Sequence, residues 1–290
     1  MKIVAMLLCA AAALAGAARV EAGVMYGATA AGGAGELYIL NPATGGVVQD
    51  IGPTNDASSL NYPVTGLAFH PASGLLYGST GNSVAAAAHK LVTINPATAA
   101  VTVIGDFNAG NAGNPATMTD LAFDSAGNLY GVGSVGGPQL YSINLATGQA
   151  TLIGGTGLTS TSGGGLTISS GGVAYGTPTS TRFGTYNLTL GTFTNIANPA
   201  KPAGGGAYAA LSFDEAGTLF GLNLGPTPTS GLPITHIVTI NPATGLVTDV
   251  GASVNGLDAM TILVPEPGAA MLLLAPAALA LRPTRRRPAR

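Results

Sequence analysis

Two aspartates are the strongest candidates for chemistry in this sequence. Asp120 and Asp258 each lie near the start of a short apolar segment that recurs along the chain. A pair of carboxylates can hydrolyse a glycosidic bond when one acts as the acid and the other as base or nucleophile. The competing interpretation is structural, with both side chains serving as satisfied edge carboxylates or as an ion site lining a channel.

The three histidines, His70, His89 and His236, do not predict a metal site. Zinc needs three or four converging ligands, and no His-x-x-x-His or similar spacing is present. His70 stands where other copies of the repeat carry a turn aspartate, and His236 stands where they carry a polar residue before a strand. Both are expected at exposed positions. The single cysteine, Cys9, excludes a disulfide within the chain. No metal and no cofactor is expected.

Nucleotides and nucleic acids are also not expected as ligands. The segment GVGSVG at 131–136 matches the G-x-G-x-x-G pattern, but a turn and a strand follow it where phosphate binding requires a helix. Between residues 23 and 264 the chain has 3 basic and 10 acidic residues, a formal charge of −7. Phosphate binding draws on clustered Lys and Arg, which this segment lacks.

The middle of the chain is built from two alternating phrases. The first, typified by LVTINPATAAVTVIG, places a turn asparagine at Asn41, Asn95, Asn144, Asn187 and Asn241. The second, typified by GLAFHPASGLLYGST, places its leading leucine at Leu67, Leu121, Leu166 and Leu211. In the first phrase, Asn accepts the backbone hydrogen bonds of a turn, and Gly supplies a positive φ before the next strand.

This pattern predicts an all-β fold, a β-propeller. Each unit has four short strand-like segments at a period typical of blades. The N-terminal copy lacks a first strand, and GLDAMTIL at 256–263 is only a first strand, so joining them closes a ring of five blades. A six-bladed ring or an open solenoid is the alternative, because the copy around Asn187 is degenerate.

The predicted innermost strands place the two candidate acids beside the central channel. These strands begin near Gly66, Asp120, Gly165, Ala210 and Gly256. Asp120 is the one acid at that repeat position, and Asp258 falls two residues further on in its own copy. The repeats resemble the NHL- and YVTN-like propeller repeats of exported bacterial proteins.

Residues 1–22 predict a secretory signal helix. Lys2 begins it, an apolar run follows, and Val20 and Ala22 satisfy the small-x-small rule for cleavage after Ala22, with Ala17 as the alternative site. Residues 23–263 then form the propeller domain.

Residues 264–290 form a tail of different character. Pro265, Glu266 and Pro267 precede an apolar run over 269–281 that is expected to be helical, and Arg285, Arg286 and Arg287 follow it. This order resembles the PEP-CTERM sorting signal of exported proteins in Gram-negative bacteria that make exopolysaccharide. The resemblance implies Sec-type export, transient retention in the inner membrane and processing by an exosortase. The alternative is a permanent, weakly anchored helix.

These features lead to one functional hypothesis and two alternatives. The chain is expected to be an exported, surface-sorted, non-catalytic propeller. It would bind or build the cell envelope or exopolysaccharide matrix, with a polysaccharide or an envelope protein as partner. The first alternative is a secreted carbohydrate-active enzyme that uses Asp120, Asp258 and a third acid. The second is a purely architectural protein without a ligand.

Overall fold

The computed structural model describes residues 23–107, 117–134, 137–160, 162–229 and 231–264. One compact unit spans Val24–Leu263. The expected signal helix with its cleavage site at Ala22 lies outside the described residues. So do the sorting motif Pro265–Pro267, the tail helix and the Arg285–Arg287 cluster. Within the described residues, no helix has the length and apolarity needed to cross a membrane.

The compact unit is an all-β propeller of five blades, each a four-stranded antiparallel sheet. Blade 1 contains β20 (Leu257–Leu263), β1 (Val24–Thr29), β2 (Glu36–Leu40) and β3 (Val47–Pro53). Blade 2 contains β4 (Val64–Phe69), β5 (Leu76–Thr80), β6 (Lys90–Ile94) and β7 (Val101–Asp106). Blade 3 contains β8 (Thr117–Phe123), β9 (Leu129–Ser134), β10 (Pro138–Ile143) and β11 (Ala150–Gly155).

The last two blades repeat this arrangement. Blade 4 contains β12 (Gly165–Ile168), β13 (Ala174–Thr179), β14 (Arg182–Tyr186) and β15 (Phe193–Ala197). Blade 5 contains β16 (Tyr208–Phe213), β17 (Leu219–Leu224), β18 (Thr235–Ile240) and β19 (Val247–Ala252). Two single 3₁₀ turns, Ala31–Gly33 and Ala85–Ala87, interrupt the described loops. The prediction of five blades is confirmed.

Blade 1 is composite, as the sequence predicts. β20 pairs with β1 in an antiparallel ladder that runs from Val24 opposite Leu263 to Thr29 opposite Leu257. The innermost strands β4, β8, β12, β16 and β20 contact one another in sequence around the ring. Because β20 pairs with β1, blade 1 has its innermost strand, and the ring of inner strands is closed.

The asparagine turns also form as predicted. Asn41 Oδ1 accepts a hydrogen bond from the Ala43 N–H at 2.8 Å, and Gly45 closes the turn with φ of 74°. The same side-chain contact recurs at Asn95, Asn144, Asn187 and Asn241. In the turn at Asn95, Ala99 takes the glycine position and adopts φ of 58°, a left-handed conformation that strains a residue with a Cβ.

The turns join neighbouring blades. A Cβ built on Gly191, in the turn of blade 4, would lie 2.5 Å from the Gly154 carbonyl carbon in blade 3. A Cβ on Gly45 would lie 2.7 Å from the Gly251 carbonyl oxygen, across the closure between blades 1 and 5. Each of these glycines therefore allows its turn to approach the outer strand of the preceding blade closely.

The hydrophobic core is divided among the spaces between blades. One cluster joins Tyr26 of blade 1 to Leu67 and Val92 of blade 2. Four others fill the remaining interfaces in the same way. Each sheet buries both faces of its inner strands, which explains their near-continuous apolar sequence. This packing holds the five inner strands in fixed positions around the axis.

Candidate functional site

Near one end of the channel, each blade places one residue of its inner strand, or the residue just before that strand, against a pocket. In blade 2, Val64 pairs with Thr80 and Gly66 with Ser79, so Thr65 between them is an extra, bulged residue. The ladders of three other blades shift at the equivalent place, and Gly164 directly precedes the inner strand of the remaining blade. We call these five positions the bulge ring: Asp258, Thr65, Thr119, Gly164 and Ala209, in order from blade 1 to blade 5.

The bulge ring surrounds a pocket of about 140 Å³ at this end of the channel. All five of its residues line the pocket, together with Ser162, Gly163, Ala207, Tyr208 and Leu224. A cavity of this size accommodates a group of about six non-hydrogen atoms, since a cavity of about 150 Å³ holds benzene. The pocket therefore has room for a small ligand or for one end of a larger one.

The register of β20 differs from the sequence-based alignment. Met260 lies opposite Gly27, as Leu67 lies opposite Gly78 in blade 2. Ala259 therefore occupies the repeat position of Asp120, and Asp258 occupies the preceding one. The expectation that Asp258 falls two residues beyond that position is wrong. The two aspartates occupy different levels of the channel.

Asp120 lies in the interior, where backbone groups surround it. Its side chain is 0% exposed, and its Oδ2 accepts hydrogen bonds from the N–H groups of Leu166 at 2.8 Å and Leu211 at 3.3 Å. Its Oδ1 accepts the N–H of Leu121 at 2.9 Å. Burial raises the pKa of Asp120 well above its usual range, against the opposing effect of these three donors. One carboxyl group thus connects the inner strands of blades 3, 4 and 5.

Asp258 has a different environment. Within the described part of the chain, no hydrogen-bond or ion-pair partner is found for its carboxylate, which lines the pocket and keeps part of its surface open. The surrounding inner strands desolvate it and raise its pKa to about 6. Its negative charge also contributes to the raised pKa of Asp120. An ionisable group that is desolvated and unpaired in a cleft is a candidate functional group.

The two threonines of the bulge ring also line the pocket, although neither was predicted as a site residue. Thr65 Oγ1 donates to the Met118 carbonyl at 2.7 Å, which lies in the next blade. Thr119 Oγ1 donates to the Val132 carbonyl at 3.0 Å and lies 3.2 Å from the Gly164 carbonyl of the following blade. A threonine directly before the Gly-Leu or Asp-Leu pair of the repeat was the signal that could have found both.

The histidines lie outside the residues that line this pocket. His70 occupies its turn as predicted, and its Nδ1 accepts the N–H groups of Ala72 and Ser73 at 3.3 and 3.1 Å. It is half-buried, not exposed, because its ring packs edge-on against Phe123. His236, also half-buried, lies 3.0 Å from Asp249. Among the described residues, no group of three or more His, Cys, Asp or Glu side chains could hold a metal ion.

Comparisons with known proteins concern the repeat and the fold. A family model described as "Repeat of unknown function (DUF6923)" matches residues 50–225. Among curated proteins, none matches the chain.

Three solved structures with similar folds share little sequence with this chain. A protein of unknown function from Bacteroides caccae has a TM-score of 0.46 and 10% identity, over 84% of this chain and 100% of its own. The PQQ-bound aldose sugar dehydrogenase of Streptomyces coelicolor has a TM-score of 0.42 and 14% identity, over 63% of this chain and 61% of its own. The glutaminyl cyclase of Myxococcus xanthus has a TM-score of 0.44 and 16% identity, over 76% of each chain. At this distance the similarity carries no information on ligand or activity.

Proposed function

We propose that this chain, which belongs to the DUF6923 family of repeats of unknown function, is an exported propeller that binds a ligand at its channel mouth. The observation that carries the proposal is Asp258. Its carboxylate is desolvated, lines the pocket and has no partner among the described residues. A carboxylate that the protein desolvates without pairing, and that keeps part of its surface open to a pocket, is available to a ligand.

The arrangement of the two acids supports a binding role over a catalytic one. Two-carboxylate hydrolysis requires both side chains to reach the substrate. Asp120 is fully buried, and both of its oxygens accept backbone hydrogen bonds. Its contacts with blades 4 and 5 give it a structural explanation, which leaves Asp258 as the acid that lines the pocket.

One observation favours the alternative, a carbohydrate-active enzyme. The pKa of Asp258 is raised to about 6 by desolvation, and this is a value at which a carboxylic acid can donate a proton at neutral pH. Such an enzyme would need Asp120 or a further acid to reach the same substrate.

A pair of isosteric variants separates the two functions. Purified wild-type protein, Asp120→Asn and Asp258→Asn are tested for binding and for reducing-end release on a panel of bacterial exopolysaccharides. For a binding propeller, we expect Asp120→Asn to retain affinity, Asp258→Asn to lose at least tenfold, and none to release reducing ends. Turnover by the wild type that disappears in an Asp120→Asn variant with the unfolding midpoint of the wild type would establish the enzyme instead. A wild type that binds nothing on the panel would favour a purely architectural protein.

We further propose that the chain is sorted to the cell surface. The support is the order of sequence features: an N-terminal signal ending at Ala22, a propeller, the Pro265–Pro267 motif and the basic cluster Arg285–Arg287. Its partners would then be the Sec-type export machinery and an exosortase. Its destination would be the envelope or extracellular matrix of a Gram-negative, exopolysaccharide-producing bacterium.

Intact mass tests this proposal directly. The protein is recovered from the outer-surface fraction of an exopolysaccharide-producing host. We expect a species that begins at Gly23 and ends near the Pro265–Pro267 motif, and any excess mass would report a group attached at the new C-terminus. A species that still carries Arg290 would overturn the sorting proposal and identify the tail as an anchor.

A further inference from the structure

We propose that the bulge ring binds a primary ammonium group carried on a short aliphatic stem. The inference rests on the proposed role of the channel mouth as a binding site and names the ligand chemistry. The bulge ring offers acceptors on three adjacent blades, through Asp258, Thr65 and Thr119. The other two positions, Gly164 and Ala209, carry no polar side chain. The pocket therefore has a polar side and an apolar side.

With Asp258 ionised, the polar side chains of the bulge ring offer only acceptors to the pocket. Ser162, which lines the pocket outside the bulge ring, accepts the Ser180 N–H at 3.1 Å and lies 3.1 Å from the Ser160 hydroxyl. A threonine hydroxyl has a single hydrogen to donate, and Thr65 and Thr119 both direct theirs to backbone carbonyl groups. Their oxygens face the pocket with lone pairs, although Ser79 Oγ also lies 3.2 Å from Thr65 Oγ1. An ammonium group is the matching ligand, because it has three donors and no acceptor. A carboxylate would place acceptors against acceptors, and a neutral hydroxyl would supply one donor for three acceptors.

The apolar side fits the stem of such a ligand. Ala207, Ala209 and Leu224 line it together with Tyr208. The Tyr208 hydroxyl donates to the Ala200 carbonyl and so presents no free donor to the pocket. A four-carbon ammonium has five non-hydrogen atoms, which suits a pocket of about 140 Å³.

Charge favours the same ligand. The segment from 23 to 264 has a formal charge of −7, and of its basic side chains Lys90 already pairs with Asp106 at 2.8 Å. Lys201 and Arg182 are not among the residues that line the pocket. A negative potential concentrates cations near an opening between low-dielectric walls. The desolvated carboxylate then recovers in the complex the electrostatic stabilisation that it lacks in the free protein.

Proton and ammonium compete for Asp258. The ionisable groups on the elements packed around it are Tyr26 on β1, Tyr208 on β16 and, across the ring, Asp120 on β8. Asp258 has a pKa of about 6, so its carboxyl group is mostly ionised at pH 8 and about one-tenth ionised at pH 5. We therefore expect affinity to fall about tenfold from pH 8 to pH 5.

The experiment titrates the purified full-length protein with n-butylammonium and follows backbone and side-chain NMR shifts at pH 8 and pH 5. We expect saturable binding at pH 8, with the strongest shifts in the bulge ring, and about tenfold weaker binding at pH 5. Asp258→Asn should abolish it. The matched control, Asp50→Asn, makes the same change in net charge on the exposed outer strand β3 and should bind as the wild type does.

Further probes separate the outcomes. Binding of Nα-acetyl-lysine amide as well as n-butylammonium supports a lysine side chain as the natural ligand, whereas binding of n-butylammonium alone supports a free amine. Equal binding of n-butanol, binding of Ca²⁺ in its place, or unchanged binding by Asp258→Asn overturns the ammonium site. Loss of exopolysaccharide binding in Asp258→Asn, together with no ammonium binding by the wild type, would overturn this inference and leave the proposed binding function intact.

Discussion

Asp258 combines a binding role with a cost to stability. Its desolvated carboxylate has a pKa of about 6 in the folded protein, against a reference value of 3.8. The unfolded chain therefore releases this proton at a lower pH than the folded chain does. As pH rises from about 4 to 6, the folded state loses stability relative to the unfolded state, and the loss is complete above this range. Residues retained for function often lower stability in this manner.

Replacing the carboxyl group should remove this cost. We expect Asp258→Asn to be more stable than the wild type at pH 8, by about 1 to 3 kcal/mol, and equal to it near pH 3.5. Urea unfolding at a series of pH values measures the difference. A difference that stays constant from pH 3.5 to 8 would show that Asp258 is not desolvated in the folded protein.

The two acids also show what sequence reasoning could reach at the residue scale. Asp120 stood out as the one acid at its repeat position, and the structure does place it in the interior beside the axis. Its partners could not be read from local sequence, because the N–H groups of Leu166 and Leu211 lie 46 and 91 residues away. Only the closed ring brings them to one carboxylate.

The bulges explain the error in the position of Asp258 at the element scale. A bulge adds one residue to a strand without any distinctive residue type, so an alignment of repeats passes over it. The copy GLDAMTIL offers only its Gly-Leu pair for alignment, since no second-phrase turn follows it to fix the other end. Its true register comes from pairing with β1, which lies more than 200 residues earlier.

The turns, in contrast, were predictable in detail because their chemistry is local. Asparagine and glycine at fixed offsets determine which atoms donate and accept within five residues. The structure confirms these contacts even in the degenerate copy, where Asn187 Oδ1 accepts the N–H groups of Thr189 and Leu190. What local chemistry could not show is that Gly191, in the same turn, packs against the neighbouring blade.

Two glycines of blade 4 test this interblade contact. Gly191 and Gly172 have φ of 72° and 80°, so alanine is strained by a similar amount at each, about 1 kcal/mol. Alanine at Gly172 meets nothing within 4 Å, whereas alanine at Gly191 meets the Gly154 backbone at 2.5 Å. We expect Gly191→Ala to lose about 2 kcal/mol more than Gly172→Ala in chemical unfolding. Equal losses would show that the blades can separate there without cost.

At the scale of the whole molecule, the composite blade closes the ring, which we therefore expect to unfold as a single cooperative unit. β20 contributes Leu257, Ala259 and Met260, each 0% exposed, to the space between blades. It also covers the edge of β1, an apolar strand whose backbone groups would otherwise be unpaired.

Truncation tests this closure. A chain that ends at Gly256 lacks β20, while a control chain that ends at Val264 keeps it. We expect the control to unfold in one sharp transition and the shorter chain to lose that transition, bind a hydrophobic dye and aggregate. Near-equal unfolding midpoints would show that blades 2 to 5 are stable without closure.

The composite blade also sets an order of events during synthesis. Along the chain β1, β2 and β3 precede the other strands of the propeller, both in synthesis and in export, yet their sheet lacks its innermost strand until β20 has followed. Blades 2 to 5 are each continuous in sequence and can form as they emerge, one after another, while blade 1 waits. The bulge ring receives Asp258 last for the same reason. The pocket therefore comes into existence with the final strand, and a nascent chain has no complete ligand site at any earlier stage.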